Sequence, residues 1–134
     1  MDKVQAIYAI LSDVYQGQSP WSLAQIEADL NKPDTDCFIV TADDEIIGFL
    51  TTQDLVGELE ITNIAVKTNY QGRGLADQLM ANLKDLDRPI FLEVRASNQA
   101  AQKLYAKHGF VVAGSRKGYY HNPTEDAILM TRKR

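Results

Sequence analysis

Gln71-Gly72-Arg73-Gly74-Leu75-Ala76 joins a strand-like run, Ile64-Ala65-Val66, to the helical row Leu75, Leu79, Leu83 and Leu86. Glycines let a backbone approach a ligand closely, and the free N–H groups of a helix start, at the positive end of its dipole, bind phosphate oxygens. The stretch therefore reads as a pyrophosphate cradle. It is neither the dinucleotide Gly-x-Gly-x-x-Gly nor a phosphate-binding P-loop, because no Gly-Lys-Ser/Thr follows and no acidic residue is placed for a ribose. Nucleotide redox chemistry and phosphoryl transfer drop out. Alone, such a helix start is more often structural than functional, so its surroundings must decide.

Outward from the cradle, Gly74 to Leu86 reads as one amphipathic helix that ends before Asp87-Arg88-Pro89. On the other side, Glu58 to Val66 reads as a strand whose apolar phase slips at Thr62-Asn63: Leu59 and Ile61 occupy odd positions, Ile64 and Val66 even ones. Either an extra bulged residue or burial of both faces produces that pattern. Helical spacing recurs from Val4 to Tyr15 and, after Ser19-Pro20, from Trp21 to Leu30. Strands are expected at Cys37–Val40 and Ile46–Leu50 with Asp43-Asp44 as hairpin turn, and at Ile90–Arg95, Phe110–Ala113 and, after a turn around Asn122-Pro123, Ala127–Thr131. Asn98 to His108 makes a helix capped by Ser97 or Asn98 and closed by Gly109. Helices alternating with strands imply a mixed α/β fold, a sheet covered by helices on its faces.

The chain has 134 residues, 45% hydrophobic and 24% charged, which is the size and composition of one globular domain over residues 1–134. The longest apolar runs, such as Phe110-Val111-Val112-Ala113, fall far short of the roughly 20 residues that cross a bilayer. Met1-Asp2-Lys3 does not open a signal peptide, so a cytoplasmic location and no membrane partner are expected. A net charge of -4 gives no field for a phosphate backbone, so direct nucleic-acid binding is not expected, and Arg132-Lys133-Arg134 is read as a solvated tail. Cys37 is the one cysteine, and with only His108 and His121 beside it no zinc-type ligand set assembles, so no metal is expected.

Four segments in order, Asn63-Ile64-Ala65-Val66, Tyr70 to Ala76, Leu92-Glu93-Val94-Arg95-Ala96-Ser97-Asn98 and Leu104-Tyr105-Ala106-Lys107-His108-Gly109-Phe110, resemble the GCN5-related N-acetyltransferase (GNAT) superfamily. The likeness runs from Ile46 to Met130, and Gln71 to Ala76 fits the family's Gln/Arg-x-x-Gly-x-Gly/Ala acetyl-CoA signature. Ser19-Pro20-Trp21-Ser22, the Glu93 segment, Gly118-Tyr119-Tyr120 and Glu125-Asp126-Ala127 further resemble the ribosomal-protein alanine N-acetyltransferases of the RimI type. The resemblance implies a central, mostly antiparallel sheet with a bulged, splayed strand and helices on both faces. The family opens on a strand before its first helix, whereas Val4 here already lies in helical periodicity, so the first strand is expected to be short or absent.

By that resemblance acetyl-CoA is the cosubstrate, contacted by Ile64, Ala65, Val66, Gln71, Gly72, Arg73, Gly74, Leu75, Ala76, Asn98 and Ala101. Glu93 falls at the family's general base, acting through water, and Tyr105 at its general acid, which serves the departing sulfur. Trp21, Tyr119 and Tyr120 fall where the family receives the acceptor. The residues themselves support part of this. An α-amine, with a reference pKa of roughly 7.7 to 8.0, is about a tenth neutral at pH 7, far more than a lysine near ~10.4, so one modest base suffices. Glu93, flanked by Ile90, Phe91, Leu92 and Val94, should be partly desolvated, and a desolvated carboxylate takes up a proton more readily.

Structural readings stand beside the functional ones: Glu93 as an edge-strand partner of Arg95 or a lysine, Tyr105 as core, Asn98 as a plain N-cap, Tyr119 and Tyr120 as strand packing. His108 reads as a helix-end residue and His121 as a loop residue, neither catalytic. Cys37 opens a buried strand and is disfavoured as an acetyl carrier, so transfer is expected to be direct. The expected acceptor is a protein N-terminus, ribosomal and beginning with alanine. A small-molecule amine, or coenzyme A binding without turnover, are the alternatives, and either a monomer or a dimer is compatible.

Overall fold

The computed structural model describes residues 2–121 and 123–133, so Arg134 of the basic tail and Asn122 of the expected turn lie outside the described residues. Helix α1 spans Lys3–Val14 and α2 spans Leu23–Leu30, and both open on capping boxes. The Asp2 carboxylate accepts the Gln5 N–H, while Ser22 Oγ and Gln25 satisfy each other's backbone N–H groups. The Ser22 cap starts α2 two residues later than the apolar spacing suggested and leaves Trp21 before the helix, where its N–H and C=O both bond Ser19 Oγ.

Strands β1 (Thr35–Ala42) and β2 (Glu45–Leu55) form a hairpin through Asp43 and Asp44, whose φ values of 52 and 64 are the left-handed pair that a two-residue turn requires. Both run past their apolar cores, because polar pairs such as Thr35 opposite Gln53 continue the ladder. Strand β3 is Glu58–Val66, β4 Ile90–Arg95, β5 Val111–Tyr120 and β6 Glu125–Arg132. Among the described residues they build one sheet in the order β1-β2-β3-β4-β6-β5, antiparallel throughout except for the parallel contact of β3 with β4. No strand precedes α1 among the described residues, and β1 is an outer strand, as expected for a missing first strand.

Two expectations are corrected. The helix after the cradle, α3, covers only Leu75–Met80 and tightens into a 3-10 turn at Ala81–Leu83. Asn82 Nδ2 donates to the Leu79 carbonyl, the kind of side-chain competition that ends helices, although Leu79 and Leu83 remain buried as the spacing required. Strand β5 was expected to stop at Ala113 but continues to Tyr120, so Tyr119 and Tyr120 end a strand rather than open a loop. It is an outer strand, and its exposed residues carry no apolar alternation from which its length could be read.

The last helix, α4, is Gln99–Lys107, with Asn98 Oδ1 accepting the Ala101 N–H as its N-cap. Helices α1 and α2 cover one sheet face, packing Ile7, Ile10, Leu11 and Ile26 on Phe49. Leu79, Leu83, Tyr105 and Phe110 pack with Leu50, Leu59, Ile61, Leu92 and Val94 in a second, larger cluster. Gly48 permits close packing at β2: a Cβ there would sit 2.8 Å from Val40 Cγ2 and 3.3 Å from the Ala65 carbonyl oxygen. None of the described helices is long and apolar enough to cross a membrane.

Candidate active site

The phase slip in β3 is a bulge. Thr51 pairs with Asn63 and Thr52 with Ile61, so Thr62 is the extra residue. Its hydroxyl lies 2.8 Å from Thr51 Oγ1 and donates to the Thr51 carbonyl at 3.1 Å. The bulge reverses the strand's hydrogen-bonding direction. Before it, the Leu59 N–H donates to Pro89 O, toward β4; after it, the Lys67 N–H donates to Ile47 O, toward β2. Leu59 and Lys67 are an even number of residues apart, so a regular strand would point both the same way. Past the bulge, Ile64 and Val66 consequently turn their backbone groups away from β2.

They face a gap. Strands β3 and β4 pair only at Leu59 with Ile90 and Glu60 with Phe91, then splay apart. The Val66 carbonyl takes a 2.9 Å bond from Gln71 Nε2, which ties the cradle to the mouth of the gap. Gly72 and Gly74 then hold φ of 78 and 79, left-handed values that a side chain strains. A Cβ at either would meet nothing within 4 Å, so backbone conformation, not crowding, requires glycine there. Gly74 caps α3, Leu75 and Ala76 begin it, and the Arg73 guanidinium lies 5.2 Å from the Tyr70 ring centroid.

Glu93 sits on β4, which is a central strand and not an edge. It lines a cavity of about 300 Å³ with Glu58, Phe91, Arg116, Leu129 and Thr131. Its partner is Arg116, not Arg95 or a lysine: Arg116 Nε lies 2.9 Å from Glu93 Oε2. The approach is too oblique for a hydrogen bond, and this buried oxygen has no hydrogen-bond partner among the described residues. Glu60, on the neighbouring strand, has its carboxyl held above the ordinary value by burial first and by the charge of Glu93 second.

Tyr105 is 6% exposed and stacks obliquely on Phe110 at 5.9 Å. Burial, with smaller contributions from Tyr15 and Tyr120, pushes its hydroxyl far above the ordinary tyrosine range, so it holds its proton at any working pH. Tyr120 is pushed up to about 12, by burial and then by Glu93. These mutual influences join Glu93, Tyr120, Tyr15 and Tyr105 into one electrostatic neighbourhood.

Arg95 pins the end of the β5–β6 hairpin, donating to the carbonyls of His121 and Pro123 and to Glu125, with its guanidinium 4.6 Å from the Tyr120 ring centroid. Glu125 also accepts the Ser97 N–H, and bonds from Ser97 and then Arg95 hold its carboxyl below the ordinary value. Tyr119 meets Tyr120 edge-on at 5.1 Å and carries Arg116 on its ring at 4.9 Å. Trp21 stands apart from the Glu93 cavity, lining an α2 cleft of about 280 Å³ with Gln25, Ala28, Asp29 and Lys32. Asn98 performs its capping role, and Ala101 follows in the first turn of α4. Arg116, Glu60 and Tyr15 were not foreseen. The one available signal was the strict alternation of β4, which puts Glu93 opposite the face of Leu92 and Val94 and so in need of a partner from another strand.

This geometry is a sheet opened between two parallel strands, with backbone groups of one lip turned into the gap and a half-buried carboxylate by the other. Residues 4–110 match the acetyltransferase (GNAT) family, and the chain belongs to it. It is 32% identical to N-alpha-acetyltransferase RimI of Mycobacterium tuberculosis over 90% of this chain and 80% of that one. The ribosomal-protein-S18-alanine N-acetyltransferase of Escherichia coli superposes with a TM-score of 0.86 at 31% identity, covering 99% of this chain and 90% of its own. An acetyltransferase of Bacillus anthracis, solved with acetyl coenzyme A, gives 0.68 at 29% identity over 81% of this chain and 67% of its own.

Proposed function

We propose that this protein is an acetyl-CoA-dependent N-acetyltransferase that acts as one catalytic domain on the N-terminal α-amine of a protein, ribosomal and beginning with alanine. The single observation that carries the reading is the Thr62 bulge, which turns the backbone of Ile64 and Val66 away from β2 and into the gap where β3 and β4 splay apart. Those groups suit the pantetheine amides and the thioester carbonyl, whose developing negative charge an N–H stabilises. The Gly72–Gly74 turn and the first N–H groups of α3 suit the pyrophosphate. Of the relatives described above, one is named an N-alpha-acetyltransferase, one a ribosomal-protein-S18-alanine N-acetyltransferase, and one was solved with acetyl coenzyme A; acceptor and cosubstrate are carried to this chain on that likeness.

Chemically, the amine nitrogen forms a bond to the thioester carbonyl carbon, the carbon–sulfur bond breaks, and one proton must leave nitrogen while sulfur gains one. Glu93 takes the nitrogen's proton, directly or through a water in its cavity. Tyr105, kept protonated by burial, hydrogen-bonds the departing sulfur or protonates it, and the first role is the one its firmly held proton suits. Neither step needs a covalent enzyme intermediate, and burial raises the Cys37 thiol above its ordinary value, which leaves it a poor nucleophile.

Thiol release from acetyl-CoA, measured with peptides that differ only in their first residue, tests the reading. Turnover with an alanine start, lost when the α-amine is blocked, supports it. Turnover only with small amines, or coenzyme A binding with no thiol released, rejects it in favour of the corresponding alternative. Glu93→Gln should lower turnover by about a hundredfold or more, the scale of a lost general base.

A further inference from the structure

Arg116 carries an inference that rests on this functional reading and extends it. The ion pair it makes with Glu93 is lopsided: the carboxylate side chain is 16% exposed, the guanidinium side chain 61%. Glu93 is fixed in a central strand, whereas Arg116 lies on an outer one with open solvent beside it. Their 2.9 Å approach holds charge against charge without a directional bond. Arg95 makes a useful contrast, since three acceptors on the β5–β6 hairpin fix its guanidinium and make it part of the framework. Among the described residues, the Arg116 side chain is held by charge and by the face of Tyr119, itself 45% exposed.

A half-buried carboxylate left without a compensating cation is costly, so something positive should face Glu93 in every ground state of the cycle. We propose that Arg116 is a placeholder: its guanidinium occupies, in the resting protein, the seat that the acceptor's α-ammonium takes, and acceptor binding displaces it. Glu58 and Glu60 project from β3 on the same strand parity, and Glu58 lines the same cavity, so the region keeps a negative potential that draws the ammonium in. The bound ammonium loses one proton through Glu93 to solvent, and the nitrogen loses a second as sulfur gains one, so the acetylated nitrogen is a neutral amide that cannot compensate Glu93. The return of Arg116 then favours product departure. Arg116 is a positioning residue in this scheme, acting on the acceptor through Glu93.

The test is calorimetric titration of an alanine-start peptide into coenzyme A-loaded protein, beside steady-state kinetics, for the wild type, Arg116→Ala and Arg116→Gln, with melting curves to certify folding. With the competitor removed, the acceptor Kd and KM should fall about fivefold, the scale of a partly exposed ion pair, while the acetyl-CoA KM stays put. Sub-denaturing guanidinium chloride, compared with equal sodium chloride, should compete with the peptide in Arg116→Ala more strongly than in the wild type. An acceptor Kd unchanged or weaker in both variants overturns the placeholder and makes Arg116 a binding or structural residue. Wild-type protein that binds no α-amine peptide overturns the functional reading and this inference with it.

Discussion

Replacing Thr62 by valine tests whether the bulge is what opens the site. The change keeps the side chain's shape but deletes the hydroxyl that bonds Thr51 twice, at 2.8 Å to Oγ1 and 3.1 Å to the carbonyl. Thr51 is 2% exposed, so its hydroxyl is then stranded away from water. Two lost hydrogen bonds of about 1 kcal/mol each, with the stranded group included in that sum, give a destabilisation of about 2 kcal/mol. For a chain of this size that lowers Tm by about 6–8 °C. The consequence for binding is separate. If the bulge relaxes, the backbone groups of Ile64 and Val66 turn back toward β2, and losing two hydrogen bonds to the cosubstrate weakens its affinity by about tenfold or more. Scanning calorimetry reads the first effect and titration calorimetry with coenzyme A the second. A Thr62→Val protein that melts like the wild type and binds coenzyme A equally well would show that this hydroxyl pair neither holds the bulge nor prepares the gap.

Thr52 offers the opposite sign: its Oγ1 is buried with no hydrogen-bond partner among the described residues, so Thr52→Val should raise stability by about 1 kcal/mol, checked by urea denaturation. Tyr105→Phe should lower kcat while sparing coenzyme A affinity, and thiol-release kinetics at saturating cosubstrate with unchanged turnover would remove the hydroxyl from the mechanism. Glu60 sets a pH dependence. Its carboxyl is held above the unfolded value, so its contribution to stability is complete below that unfolded value and is lost as pH rises through the folded one. Glu60→Gln should therefore gain stability relative to the wild type on going from acid to neutral pH, and paired urea melts at the two ends that show no such gain would contradict the assignment.

Much of this was legible in the chain because local rules agreed with the tertiary structure. Leu59, Ile61, Ile64 and Val66 betrayed the bulge through their broken alternation, and Asp43-Asp44 marked a turn that its left-handed φ values explain. Glu93 stood out as a carboxylate in an apolar strand. The failures have separate causes: burial patterns vanish where one side of an element is solvent, and an apolar row can outlast the helix that carries it. Strand β5 carries exposed residues over most of its length and so looked like a short strand and a loop. Helix α3 kept its apolar row into the 3-10 turn, where Leu79 and Leu83 stay buried although the helix has ended. Arg116 was hidden for another reason: its significance comes from a pairing across the sheet, and nothing in its own neighbourhood on β5 distinguishes it from Lys117.

Backbone amide resonances followed during a coenzyme A titration test the central claim most directly, because they locate the ligand as well as detect it. The account predicts saturable shifts concentrated at Ile64, Val66, Gly72, Gly74, Leu75 and Ala76, on the lip of the gap and the turn that follows it. Shifts that leave β3 and the Gly72–Gly74 turn unmoved, or that map to another surface, would contradict it.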